Sequence, residues 1–198
     1  MRIAVLTFEG FNELDSFVAA GVLNRLRSQG WQAQLTCPGE QVSSMNGVRV
    51  HAQQPLEFAN EADVVLFGSG MQTRAIAEDR SLLARLRLDP QRQLIGSQCS
   101  GALLMARLGL LDELPACTDL NSKPWVIEAG VEVLDQPFYA QGNRATAGGC
   151  LSAPYLAAWV IAKLAGEDAC AEALHYVAPV GEKAAFVARA LGVIGPYL

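Results

Sequence analysis

The chain has 198 residues, a length that fits one globular domain and leaves little room for two. It is 51% hydrophobic and 18% charged, so a sizeable core is expected and wholesale disorder is excluded. With 15 basic against 20 acidic residues the formal charge is -5, and no basic cluster appears, which disfavours nucleic acid as a partner.

Taken in order, residues 2–8 (RIAVLTF) read as a buried strand that ends in the loop EGFNE. Residues 15–29 show helical spacing through Phe17, Val18, Val22, Leu23 and Leu26, with Gly30 as the stop. A second strand follows at 31–37, and 42–51 reads as a small hairpin around Asn46-Gly47. Residues 62–67 (ADVVLF) form another buried strand. The loop Gly68-Ser69-Gly70 comes next, then a helix running to position 88. Beyond it are a strand at 93–97, a helix at 101–110, a short strand near 115–118 and a helix near 123–130. Strands around 131–134 and 144–147 precede long helices in the C-terminal quarter.

Strands alternating with helices imply a parallel sheet covered on both faces. No internal repeat or low-complexity linker is visible, so residues 1–198 are expected to form one α/β domain. The longest apolar stretches, near 101–111 and 151–164, fall short of the ~20 residues a bilayer demands. The N-terminus reads as a strand rather than a signal peptide, and no membrane partner is expected. Five cysteines, with no CxxC pair, suit reduced thiols in the cytoplasm. The two histidines neighbour none of them, so no metal site is expected.

In open α/β sheets, ligands bind outside the carboxyl ends of the strands. That rule selects residues 9–15, 68–72, 98–101 and 118–121. Among them, Ser97-Gln98-Cys99-Ser100-Gly101 lies between a strand and a helix, with small residues giving room for a sharp turn that lifts one side chain above the sheet. The helix amides that follow would favour a thiolate at Cys99 and hold a developing oxyanion. Cys99 reads equally as a small core residue that packs. Cys150, after a Gly-Gly turn, competes for the nucleophile's role, although packing is the favoured reading there. Cys37 and Cys170 read as core or helix-face residues, and Cys117, at a strand end near the site, shows no activating neighbour. Asp15 reads as an acid at a helix start that caps amides and complements the dipole, and Glu13 shares its loop. Ser100 doubles as a possible helix cap. Trp125 is the aromatic expected nearest a pocket.

Three ordered segments, GFNELDSFVAAGVLNRL, SQCSGALLMARLGLL and RATAGGCLSAPYLAAWVIAKLAG, resemble the ThiJ/PfpI superfamily. The resemblance implies a flavodoxin-like, class I glutamine amidotransferase-like domain with a cysteine nucleophile elbow, usually a homodimer. The Cys-Ser-Gly-Ala elbow with its Leu-Asp loop acid is most similar to the isocyanide hydratase-type branch. That match implies Cys99 as nucleophile, Asp15 in preference to Glu13 as the acid that exchanges a proton with the substrate, its pKa raised by burial next to the thiol, and Ser100 as a hydroxyl that places water or the thiolate. It also implies an oxyanion pocket from the amides of Gly68, Ser69, Gly70 and Ser100, while the strand-end rule places Thr118 and Asp119 near the substrate. Many members carry a histidine where this chain has Asp119, which argues against Cys-His protease or glutamine amidotransferase chemistry. The usual Pro-Gly-Gly loop is Phe67-Gly68-Ser69 here, and the Gly-Pro after the loop acid is Ala19-Ala20.

The expected function is cysteine-dependent hydration or hydrolysis of a small uncharged electrophile, with no cofactor. An isocyanide converted to an N-substituted formamide is the leading case. The alternatives are a redox or stress-response protein sensing through Cys99, and a standalone ligand-sensing module.

Overall fold

The computed structural model describes all 198 residues. The apolar runs become strands β1 (Arg2–Leu6), β2 (Gln32–Cys37), β3 (Gln41–Ser43), β4 (Arg49–His51), β5 (Gln54–Pro55), β6 (Val64–Phe67), β7 (Leu94–Gln98), β8 (Phe138–Gln141) and β9 (Arg144–Ala147). The helices are α1 (Glu13–Leu23), α2 (Thr73–Glu78), α3 (Arg80–Leu83), α4 (Gly101–Arg107), α5 (Lys123–Glu128), α6 (Ala153–Ala165), α7 (Glu167–Val177) and α8 (Lys183–Ile194).

Seven strands form the central sheet in the order β5-β2-β1-β6-β7-β9-β8, while β3 and β4 make the separate hairpin expected around Gly47. All pairings in the large sheet are parallel except β8 with β9. In β1, Ile3 and Val5 face one core while Ala4 and Leu6 face the other, because successive side chains point to opposite sides. The first core lies under α1, α6, α7 and α8 and includes Trp159 and Leu156. The second lies under α2 to α5 and includes Phe67, Ile95, Leu103 and Leu104. A doubly buried parallel sheet accounts for strands without polar alternation, such as Val-Val-Leu-Phe at β6. The architecture is the flavodoxin-like α/β sandwich that the sequence implied.

Several boundaries differ from expectation, each for a local reason. The helix expected over 15–29 starts at Glu13, capped by Asn12, whose side chain accepts the Leu14 N–H; from Asn24 it tightens into a 3-10 turn. The helix expected through position 88 breaks at Asp79, whose carboxylate accepts from the amides of Ser81 and Leu82 and starts α3 afresh. The strands expected near 115–118 and 131–134 shrink to one bridge between Ala116 and Val133. Two edge strands escaped notice. One is β5, two residues ending in proline, and the other is β8, whose Phe138 is buried.

After β1 the chain moves to one side of the sheet to place β2, then returns to place β6 on the other. The crevice outside the carboxyl ends of β1 and β6 is therefore the topological switch point where ligands bind in such sheets.

Candidate active site

The loops leaving β1, β6, β7 and β9 meet at that crevice. They build a cleft of about 490 Å³ whose wall includes Asn12, Ser69, Gly70, Met71, Cys99, Ser100 and Cys150. Asp119, Asn121, Ser122 and Trp125 close one side, and Met45 from the hairpin loop overhangs another. Asp15 lies beneath the floor, 2% exposed.

Cys99 sits between β7 and α4 with φ at 48°, a left-handed conformation that costs a non-glycine residue about 1–2 kcal/mol. The surrounding structure enforces it. The Cys99 amide donates to the Ala147 carbonyl (2.8 Å), and the Thr118 hydroxyl donates to the Cys99 carbonyl (2.8 Å). At the next turn of chain only a glycine fits, since a Cβ at Gly101 would lie 2.7 Å from the Phe67 carbonyl oxygen. The side chain of Cys99, 3% exposed, is thus held at the base of the cleft.

A carboxylate oxygen of Asp15, the Cys99 Sγ and the Cys150 Sγ all lie within 4.8 Å of one another. The Ser69 hydroxyl donates a short hydrogen bond to Asp15 Oδ2, while Asp15 Oδ1 is buried without a partner. Burial pushes the Asp15 carboxyl above its ordinary range, against the pull of the Ser69 hydrogen bond. Burial, then the neighbouring Asp15 charge, drives the Cys99 thiol far up. The direction is opposite to that expected from the helix amides, because a dry site beside a carboxylate penalises a second negative charge more than one short helix favours it. Glu13, the other acid of the loop, turns away: it accepts hydrogen bonds from Ser44 and Asn46 of the hairpin.

The remaining expected residues divide. The amides of Ser69 and Ser100 have no acceptor within the protein and are free for a ligand. Gly68 does not supply an amide to the pocket; it donates to the Leu6 carbonyl (3.0 Å), continuing the strand ladder. The Gly70 amide is likewise engaged, donating to Ser100 Oγ (3.2 Å). Thr73 donates its hydroxyl proton to the Gly70 carbonyl, so Ser100, 2.8 Å from the Thr73 oxygen, is left as the donor of that bond. Ser100 thus ties the loop after β6 to α4 and does not cap the helix. Thr118 lies behind Cys99 rather than on the cleft wall. Asp119 is on the wall, its Oδ1 accepting from the amides of Asn121 (2.9 Å) and Ser122 (3.0 Å).

Cys150, expected to pack, instead lines the cleft half-buried, with the Asn12 side-chain amide donating to its Sγ at 3.1 Å. Asn12, Met45 and Met71 were not singled out from sequence, although the rule of loops at strand ends covers two of them. Trp125 is where it was expected, with Arg74 stacked 5.8 Å above its ring. No lysine, arginine or histidine is on the wall, and His51 and His175 are exposed on β4 and α7. Asp15, Cys99 and Cys150 offer three donors, one fewer than the four that a closed zinc site takes.

Solved structures similar to this chain share its sheet and helices. Schizosaccharomyces pombe DJ-1 superposes with a TM-score of 0.76 at 15% identity, over 90% of this chain and 100% of that one. Drosophila melanogaster DJ-1beta gives 0.74 at 22% identity, over 88% and 96%. An AraC family transcriptional regulator from Pseudomonas putida gives 0.72 at 19%, over 89% and 99%. At these identities the likeness is one of fold. No curated protein sequence matches the chain. The model of the DJ-1/PfpI family matches residues 1–163, a span that contains Asp15, the Cys99 elbow and Cys150. The chain belongs to the DJ-1/PfpI family.

Proposed function

We propose that the chain is a cysteine-dependent hydratase in which Cys99 adds to the electrophilic carbon of a small uncharged molecule, with an isocyanide as the leading substrate. The DJ-1/PfpI family includes cysteine-dependent enzymes and stress-response proteins. The observation that carries the reading is Cys99 held at φ 48° beside a buried carboxylate whose Oδ1 has no partner. A wall without a cation, bearing Asp119, Met45, Met71 and Trp125, suits a neutral apolar ligand better than an anion.

In this mechanism Asp15 Oδ1 takes the Cys99 proton as the sulfur adds to the isocyanide carbon, and then delivers that proton to the same carbon. The product is a thioimidate. Water attacks it, the C–S bond breaks, and the N-substituted formamide leaves with Cys99 restored as a thiol. The free amides of Ser69 and Ser100 hold the developing oxygen charge. A carboxyl that relays a single proton needs a pKa raised toward the working pH, which is the direction burial imposes on Asp15. Histidine is not required. The test is turnover of a simple alkyl isocyanide: Cys99→Ala is expected to fall to the uncatalysed rate, and undiminished turnover in that variant would end the reading.

The same proposal takes residues 1–198 as one domain acting in the cytoplasm as a homodimer, in keeping with the common dimeric state of the family and with five unpaired cysteines.

A further inference from the structure

We infer that Cys99 and Cys150 are a dithiol pair, with Cys150 the resolving thiol that captures Cys99 as an intramolecular disulfide after a hydroperoxide oxidises it. Their sulfurs lie within 4.8 Å, so reaching a bond of about 2.0 Å requires an approach of less than about 3 Å. The two cysteines differ in freedom. Cys99 is pinned through both its amide and its carbonyl. Cys150 follows Gly149, which has φ 87° and no close neighbour where a Cβ would stand apart from Ser152 Oγ at 4.0 Å. The one side-chain bond to the Cys150 sulfur comes from Asn12, and Leu151 beyond it is 81% exposed. Cys150 is held at its carbonyl by the Ala153 amide, and its side chain is therefore the freer of the two to turn toward a fixed Cys99. Among the cysteines, this pair alone clusters with a carboxylate, and the other three are buried singly.

The chemistry balances. With its proton lodged on Asp15, the Cys99 sulfur attacks an oxygen of the hydroperoxide. An S–O bond forms, the O–O bond breaks, and the alkoxide leaves as an alcohol with that proton. Cys150 then gives its proton to Asp15 and its sulfur attacks the Cys99 sulfenic acid. The S–S bond forms, the S–O bond breaks, and hydroxide departs as water with the second proton. Two thiols lose two electrons and the hydroperoxide gains them. An external dithiol reverses the change. If Cys99 is the nucleophile proposed above, the disulfide switches that activity off.

The test is a peptide map of the reduced full chain after stoichiometric hydrogen peroxide, digested with trypsin without reductant. Residues 93–107 and 145–163 carry Cys99 and Cys150 on separate peptides. The expected result is their covalent union at a mass lower by two hydrogens. In Cys150→Ser, given two equivalents of peroxide, the 93–107 peptide should instead carry two oxygens. Wild-type protein in which 93–107 gains oxygens while Cys150 stays alkylatable would overturn the inference. The readout is separable from the proposed hydration. A disulfide in a chain that turns over no isocyanide when reduced sinks the hydratase and leaves the dithiol standing.

Discussion

Two neighbouring turns carry a cysteine from a strand toward a helix, and they solve the same geometric problem in opposite ways. After β7 the left-handed residue is Cys99 itself. After β9 it is Gly149, which takes that conformation at no steric cost and leaves Cys150 relaxed and half-exposed. A strained non-glycine residue persists only where its surroundings over-determine it, and such sites concentrate where chemistry is done. The contrast makes Cys99 the fixed thiol and Cys150 the freer one.

The sharpest way to break that assignment is to remove each thiol in turn. Cys99→Ala should lose all isocyanide turnover, whereas Cys150→Ala, assayed under reducing conditions, should stay within about tenfold of wild type, or 1.4 kcal/mol. Equal losses would make the two turns equivalent. Next in size is Asp15→Asn, which keeps the shape of the floor but cannot carry a proton. Its kcat/KM should fall by about 10²–10⁴-fold, and a loss confined to KM would reassign Asp15 to binding.

The strain itself is measurable. At position 99, Gly should exceed Ala in unfolding free energy by about 1 kcal/mol, reversing the usual order of the two, because only glycine occupies φ 48° freely. At position 150 glycine should give no such advantage. Denaturant midpoints of the four variants decide this.

A smaller effect concerns the thiols of the core. Burial pushes Cys37 and Cys170 up to about 11 and Cys117 up to about 12, from 9.0. A thiol raised in the folded state is neutral there and ionises more readily when unfolded. Its stabilisation is therefore complete below pH 9.0 and drains away as pH climbs through the folded value. The thermal midpoint should decline above pH 9, and Cys117→Ala, less stable at neutral pH, should decline less steeply. Parallel slopes would show that Cys117 is not the group responsible.

Much of this was legible in the sequence where a local pattern and the tertiary structure agree. The strand-turn-helix signature around Cys99 and the loop acid Asp15 were both visible, because small residues at a turn and an acid at a helix start are local signals. What escaped depends on partners distant in the chain. Cys150 reads as a packing residue until β9 pairs with β7 and places the loop after β9 against Cys99. The Gly68 amide looks available until the Leu6 carbonyl takes it, and Asp79 breaks a helix whose apolar spacing runs on past it. The raised Cys99 pKa follows from burial beside Asp15, which helix position alone does not reveal.

The central claim is that the Asp15 carboxylate acts directly on the Cys99 thiol, and alkylation of Cys99 by iodoacetamide as a function of pH, in wild type and in Asp15→Asn, tests it most directly. Removing the carboxylate charge should move the labelling midpoint of Cys99 to lower pH. Superimposable profiles in the two proteins would contradict the account, leaving Cys99 a buried thiol with no electrostatic partner.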